Sequence, residues 1–279
     1  MLRTLRGSLS PLAAASASVM CFSMSVTHAD VHDSKEYPEI QSAAWNNNWD
    51  FRHEQWSRNE ELAADKKKKG KVHRIVLIRH GQYESGKCDK ERVLSEKGRK
   101  QAVATGERLK VMQQAGKLFT VDKVYYSTMA RATETSNLIL PYLGDLEKSK
   151  VQPCSMIREG APCVPLPAIS FERWPVTPED FRNDSKRIEA AFLSHVKRHS
   201  HDDEEEFQGE GSRSSIFICH GNVIRYFVLR AMQQDPQGWL RTCVNNASIT
   251  IIDVHPNGKV SLTSMGDSGH FPPDLITSN

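Results

Sequence analysis

From residue 72 to about residue 273, short apolar runs alternate with stretches in which apolar side chains recur every three or four positions. Ile75-Val76-Leu77-Ile78 is an unbroken apolar run and predicts a buried strand. "LSEKGRKQAVATGERLKVMQQAGK" predicts a helix, with Ser95 as its N-cap and Ala102, Leu109 and Met112 along one face. A short strand is expected at Val124 to Tyr126. Ser127 or Thr128 then caps a helix from Arg131 to Leu140, which Pro141 stops. Six prolines between Pro153 and Pro178 predict a long loop. Ile188, Phe192 and Val196, four residues apart, predict a return to helix. The acidic run at 202 to 206 reads as a solvated loop. A strand at Ile216 to Cys219, a helix at Val223 to Met232 and a hairpin turning at Asn257-Gly258 complete the pattern. Alternating strands and helices argue for an α/β sandwich with a largely parallel sheet.

The chain before this region lacks such periodicity. Residues 31 to 71 are polar and end in the lysine run "DKKKKGK", which reads as a linker. Into it is set "WNNNWDFRHEQW", with Trp45, Trp49 and Trp56. Each indole buries on the order of 150–250 Å² when it finds a surface, so this stretch has a partner. That partner is either the following domain or another molecule. Residues 1 to 30 hold Arg3, Arg6, many serines and no acid before Asp30, the composition of a mitochondrial targeting segment. The apolar stretch from Leu12 to Val26 is short for a spanning helix, which needs about 20 residues. A cleaved presequence, a weak membrane anchor, a secretory signal and a plain tail all fit this composition, with secretion ranked below anchor and presequence.

Composition narrows the chemistry. In 279 residues, 37 Lys and Arg face 34 Asp and Glu, a net charge of +3 that gives no sign of nucleic-acid binding. The six cysteines show no Cys-x-x-Cys spacing, which points to a reducing compartment and to no zinc site.

Two strands end alike. The first runs into Arg79-His80-Gly81, and the later one into His220-Gly221-Asn222. In an open α/β sheet, ligands bind beyond the carboxyl ends of the strands. Glycine lets the backbone turn there and a ligand approach. Arg131 lies in the first turn of a helix that follows another strand, and helix N-termini favour anions. Two arginines, two histidines and two helix starts directed at one crevice are suited to a phosphate group. There is no Walker-type Gly-Lys-Ser sequence and no carboxylate cluster for magnesium. A neutral imidazole can itself attack phosphorus. One carboxylic acid can then protonate the leaving oxygen and later deprotonate water, and "MIREGAPCVP" offers Glu159.

"LIRHGQY", "STMARATET", "IREGAP" and "ICHGNVIRY", in that order, resemble the histidine phosphatase superfamily with its phosphoglycerate-mutase-like fold. "WNNNWD", "GWLR", "NNASIT" and "GDSGHFPPDLIT" resemble one branch of it, the mitochondrial phosphoglycerate-mutase-like serine/threonine protein phosphatases. The resemblance covers residues 72 to 277, with the tryptophan motif at 45 to 50 as a separate match. It implies a three-layer αβα sandwich and a histidine phosphatase domain over 72–279. It implies a phosphohistidine at His80, with Arg79, Arg131, His220 and Gly221 around the phosphate and Glu159 as proton donor. No cofactor, metal or nucleic acid is expected. The branch implies phosphoserine and phosphothreonine proteins as substrates and a mitochondrial, outer-membrane address reached through the N-terminus. It also implies assembly into homodimers and higher oligomers through Trp45, Asn48, Trp49 and Asp50. Asn46 stands where the branch has Asp.

Two other functions compete. A sugar-phosphate mutase of this fold carries a long insertion after Arg-His-Gly, whereas here only Gln82 to Arg92 precede "VLSEKGRKQA". That short connection leaves an open site, suited to a phosphoprotein. A partner-binding scaffold using the tryptophan motif would have no use for the full set of five chemical residues.

Overall fold

The computed structural model describes residues 45–46, 49–50, 71–169, 176–198 and 211–278. Six strands form one sheet: β1 (His73–Arg79), β2 (Thr120–Ser127), β3 (Val151–Cys154), β4 (Arg213–Cys219), β5 (Ile249–Val254) and β6 (Val260–Asp267). Their order across the sheet is β3-β2-β4-β1-β5-β6. The first four in that order run parallel, and the last two are an antiparallel extension. The central pair is in continuous register from His73 opposite Arg213 to Arg79 opposite Cys219. Register therefore sets His80 and His220, one residue beyond each strand, side by side.

Four described helices cover the sheet: α1 (Glu96–Gln114), α2 (Ala130–Ile139), α3 (Pro178–His195) and α4 (Gly221–Ala231). Strand side chains alternate between faces, so β1 feeds two cores. Val76 and Ile78 pack with Leu109 and Met112 of α1 and Ile139 of α2. Ile75 and Leu77 pack with Ile188 and Phe192 of α3 and Val223 and Phe227 of α4. The result is the expected three-layer sandwich.

Ser95 caps α1, its hydroxyl accepting from the Gly98 amide at 3.1 Å. The hairpin turns at Asn257-Gly258, where Gly258 adopts φ 84°. Three expectations need correction. Neither Ser127 nor Thr128 caps α2: the N-cap position is Met129, with no side-chain cap, and Ser127 faces the second histidine instead. The proline-rich segment is not all loop, because Val151–Cys154 forms the edge strand β3. Pro153 is tolerated there because an edge strand has one unpaired side. Helix α3 begins at Pro178, earlier than apolar spacing shows, because Thr177 and Asp180 make a reciprocal capping box.

Trp49 packs into the core on the α3–α4 side. Its ring lies 5.8 Å from that of Phe192, and its indole N–H donates to the Gly258 carbonyl at 2.8 Å. Asp50 forms an ion pair with Arg198 in which both side chains are 2% exposed. Gln233 holds the Asn46 backbone through two 2.9 Å bonds, and Trp45 packs against the same core. Asn48, Trp56 and residues 1 to 30 lie outside the described residues.

Candidate active site

The loop after β1 turns sharply at Gly81 against the start of α1. A side chain at Gly81 would place its Cβ 2.5 Å from the Gly98 carbonyl oxygen, and one at Gly98 would lie 1.9 Å from that of Gln82. These two glycines permit the close approach that fixes the His80 backbone. Thr135 of α2 accepts from the Gly81 amide at 3.1 Å. The His80 carbonyl accepts from the Ala247 amide and the Asn246 side chain, at 3.1 and 3.3 Å.

The two histidines occupy one cleft, their ring centroids 5.0 Å apart. His80 Nδ1 lies 2.8 Å from the Gly81 carbonyl, and Arg131 Nε donates to His80 Nε2 at 3.1 Å. Both contacts require the same tautomer, with the proton on Nδ1 and the lone pair on Nε2. His220 Nε2 meets the Ser127 hydroxyl at 2.8 Å, while its Nδ1 is buried without a hydrogen-bond partner.

Arg79 donates to the Val244 carbonyl at 2.7 Å, and its Nε would lie 3.5 Å from a Cβ at Gly221. The bare Gly221 backbone thus borders the guanidinium at the start of α4. Tyr83 stands edge-on to His80 with centroids 5.3 Å apart, and the Arg131 guanidinium carbon sits 4.8 Å above the Tyr83 ring. Asp89, in a 3-10 turn at Asp89–Glu91, lies 3.5 Å from Arg131 Nη1 and accepts from the Ala130 amide at 3.3 Å. A carboxylate thus rests on the uncapped start of α2, where an anion is favoured.

Glu159 lies in the loop after β3, which α3 and α4 hold. Arg187 donates to the carbonyls of Met156, Arg158 and Glu159 at 2.8, 2.7 and 3.2 Å, and pairs with Asp184 at 2.6 Å. Asp184 accepts from the Ala161 amide at 2.9 Å, and Asn222 donates to the Gly160 carbonyl at 3.2 Å.

The electrostatics follow from burial. His80 is 2% exposed and His220 fully buried, and desolvation pushes both well below the usual imidazole range. For His80 the arginines at 131 and 79 add to that effect, and for His220 the neighbouring imidazole and the same arginines do. Both rings are therefore neutral near pH 7. Burial also pushes Arg79 down to about 10, opposed by Glu159 and reinforced by Arg225. Burial raises the Glu159 carboxyl, against the Gly160 amide and the two arginines, which lower it. An uncharged base and a carboxyl shifted toward its protonated form face one cationic cleft, an arrangement suited to acid-assisted attack on a phosphoester.

The five chemical residues expected from sequence meet here. The supports whose roles sequence reading did not assign are Thr135, Asp89, Arg187, Asn222 and Asn246, together with Ser127, which was expected as a cap. Ser127 and Thr135 fall within "STMARATET", and Asn222 within "ICHGNVIRY", so motif position was their signal. Arg187 is one arginine on a charged helix and carries none.

Residues 75–267 match the family model described as histidine phosphatase superfamily (branch 1). The chain belongs to that superfamily. It is 40% identical to "Serine/threonine-protein phosphatase Pgam5, mitochondrial" of Drosophila yakuba over 90% of this chain and 87% of that one. It is 41% identical to the protein of the same name from Drosophila melanogaster, over 85% of this chain and 81% of that one. Among solved structures it is similar in fold to one titled "Mycobacterial hydrolase 2", with a TM-score of 0.51 and 19% identity over 74% of this chain and 95% of that one.

Proposed function

We propose that this chain is a protein serine/threonine phosphatase that works through a phosphohistidine on His80. The observation that carries the reading is the Nε2 lone pair of a neutral, buried His80, held 3.1 Å from Arg131 Nε at the shared carboxyl end of β1 and β4. In the first step Nε2 attacks phosphorus and the ester P–O bond breaks. Glu159 gives its proton to the departing serine or threonine oxygen. In the second step a water attacks phosphorus, the Glu159 carboxylate takes its proton, and the N–P bond breaks to release phosphate. Arg79, Arg131, His220 and the Gly221 amide bind the phosphoryl oxygens, and the positive charge of the two arginines offsets what accumulates in the transition state. The relatives' printed name supports a phosphoprotein as substrate, and so does the short connection between Gln82 and Arg92. The expected result is release of phosphate from phosphoserine and phosphothreonine peptides by the purified chain, lost in a His80→Ala variant. Turnover undiminished in that variant would remove His80 from the mechanism.

The address proposed is mitochondrial, from the relatives' name and the arginine- and serine-rich N-terminus, with the outer membrane as its surface. Among the described residues no helix is long and apolar enough to cross a membrane. The proposal assigns anchoring to residues 1 to 30, and fractionation of a chain lacking them tests it.

Self-association through the motif at 45–50 is proposed on the seat that Trp49 and Asp50 occupy. A buried indole and a buried ion pair form a specific receptor, and a second copy's motif can fill the same seat. Removing residues 41 to 56 should lower the mass in solution, and an unchanged mass contradicts the assembly.

A further inference from the structure

The phosphate site carries more positive charge than one phosphate uses. Arg79 and Arg131 match the two negative charges of a phosphomonoester. Three further arginines stand around them. Arg225 is in the first turns of α4, where its Nη1 donates to Asn222 Oδ1 at 3.3 Å and its Nε is buried with no hydrogen-bond partner. Asn222 in turn holds the Gly160 carbonyl beside Glu159. Arg158 adjoins Glu159 itself, and its Nη1 reaches the Thr128 hydroxyl at 3.4 Å, just before α2. Arg92 closes the third side, donating to the Gly86 carbonyl at 3.0 Å within the loop that lays Asp89 on Arg131.

The local carboxylates are already engaged. Asp89 faces Arg131, Asp184 pairs with Arg187, Glu91 accepts from the Lys87 amide at 2.7 Å, and Glu159 accepts from the Gly160 amide at 3.1 Å. Among the described residues, none makes an ion pair with Arg92, Arg158 or Arg225. Each of the three is only half-buried, so part of each side chain is open to solvent. A guanidinium that is tethered by one neutral contact and lacks a counter-ion favours an incoming carboxylate.

We infer that Arg225, Arg158 and Arg92 form an anion-reading rim that selects phosphoserine and phosphothreonine peptides bearing acidic side chains beside the phosphorylated residue. The inference rests on the protein phosphatase reading above and adds a substrate preference to it. The rim contacts the flanks of the peptide rather than the reacting atoms. Its effect therefore belongs in KM and weakens as salt screens the charges.

The test is hydrolysis by the full chain of two phosphoserine peptides identical except for glutamate or glutamine on both sides of the phosphoserine. In the wild type, kcat/KM for the glutamate peptide should exceed that for the glutamine peptide by about 3- to 10-fold, mostly in KM. In the double variant Arg158→Gln/Arg225→Gln the ratio should approach one. The ratio is taken within a single preparation, so a partly unfolded variant does not distort it. Equal rates on the two peptides in the wild type, or a ratio unmoved in the double variant, overturn the rim and leave the phosphatase reading standing. If the wild type hydrolyses p-nitrophenyl phosphate and neither peptide, both fall together.

Discussion

Arg131 Nε donates to His80 Nε2 across 3.1 Å, so a guanidinium proposed to hold phosphate also keeps the imidazole lone pair pointed into the cleft. Arriving phosphate has to draw this contact apart, and its oxygens replace the ring nitrogen as acceptors. Arg131→Ala should lower kcat/KM by about 10²–10³, the usual effect of losing one preorganised donor to a developing charge. It should also raise the His80 pKa, because one of the two arginines that lower it is gone, although burial still dominates. Steady-state kinetics together with an NMR titration of the ring check both effects. Arg131→Lys should not restore the rate, because one ammonium cannot reach both Nε2 and the phosphate.

Glu159 is expected to matter in proportion to how much its proton is needed. A serine alkoxide is a poor leaving group, whereas p-nitrophenolate leaves without help. Glu159→Gln should therefore cost about 10²–10⁴ on phosphopeptides and far less on p-nitrophenyl phosphate. Burial raises its pKa, so the protonated fraction, and with it phosphopeptide turnover, falls as pH rises through that value. The alkaline limb should vanish in Glu159→Gln. Equal losses on the two substrates would show that it is not the proton donor.

The legible part of this protein was the part where one residue type has one reason to be present. An apolar run ending in Arg79-His80-Gly81 has no packing explanation, and parallel register then pairs His80 with His220. Apolar spacing gave α1 and α4 within a few residues. The supports were harder to read, because they act through backbone atoms. Arg187 clamps three carbonyls of the Glu159 loop, and nothing in a charged helix marks one arginine for that task. Strand β3 was hidden by Pro153, since a proline argues against a strand unless the strand is known to lie at an edge. The neighbouring arginines help keep His80 neutral, but burial, which a sequence does not show, is the larger cause.

Ser127 is a positioning residue for His220. Its hydroxyl meets Nε2 at 2.8 Å, and Nδ1 has no hydrogen-bond partner, so Ser127→Ala leaves a buried ring with none. The expected cost is about 1–3 kcal/mol of stability, read by denaturant unfolding. A fall in kcat should accompany it and be partly restored by Ser127→Thr, an outcome that a purely packing role would not produce.

Buried neutral histidines make stability depend on pH in a definite direction. The native pKa values of His80 and His220 are depressed, while in the unfolded chain each lies near the ordinary value of about 6.5. Below that pH the unfolded state binds protons that the native state does not, so stability present above about pH 6.5 is lost as pH falls. Each of the two contributes up to about 1.4 kcal/mol per pH unit. Melting temperature should drop between pH 7 and pH 5, and less steeply in His80→Gln. A flat profile over that interval contradicts the buried, uncharged state of the rings.

Trp49 and Arg198 tie the motif to the core. Trp49→Ala should cost about 3–5 kcal/mol, by emptying its place against Phe192 and freeing the Gly258 carbonyl. Arg198→Ala should cost a similar amount, about 3–5 kcal/mol, because it leaves Asp50 charged and buried. Chemical denaturation of each variant measures both.

The most direct measurement is to quench the enzyme during turnover of a phosphopeptide carrying radioactive phosphate, then locate the label. A phosphoramidate that is stable in base, labile in acid and confined to the peptide containing His80 is the predicted result. Turnover with no such adduct, or with the label on His220, a cysteine or a hydroxyl, would contradict it.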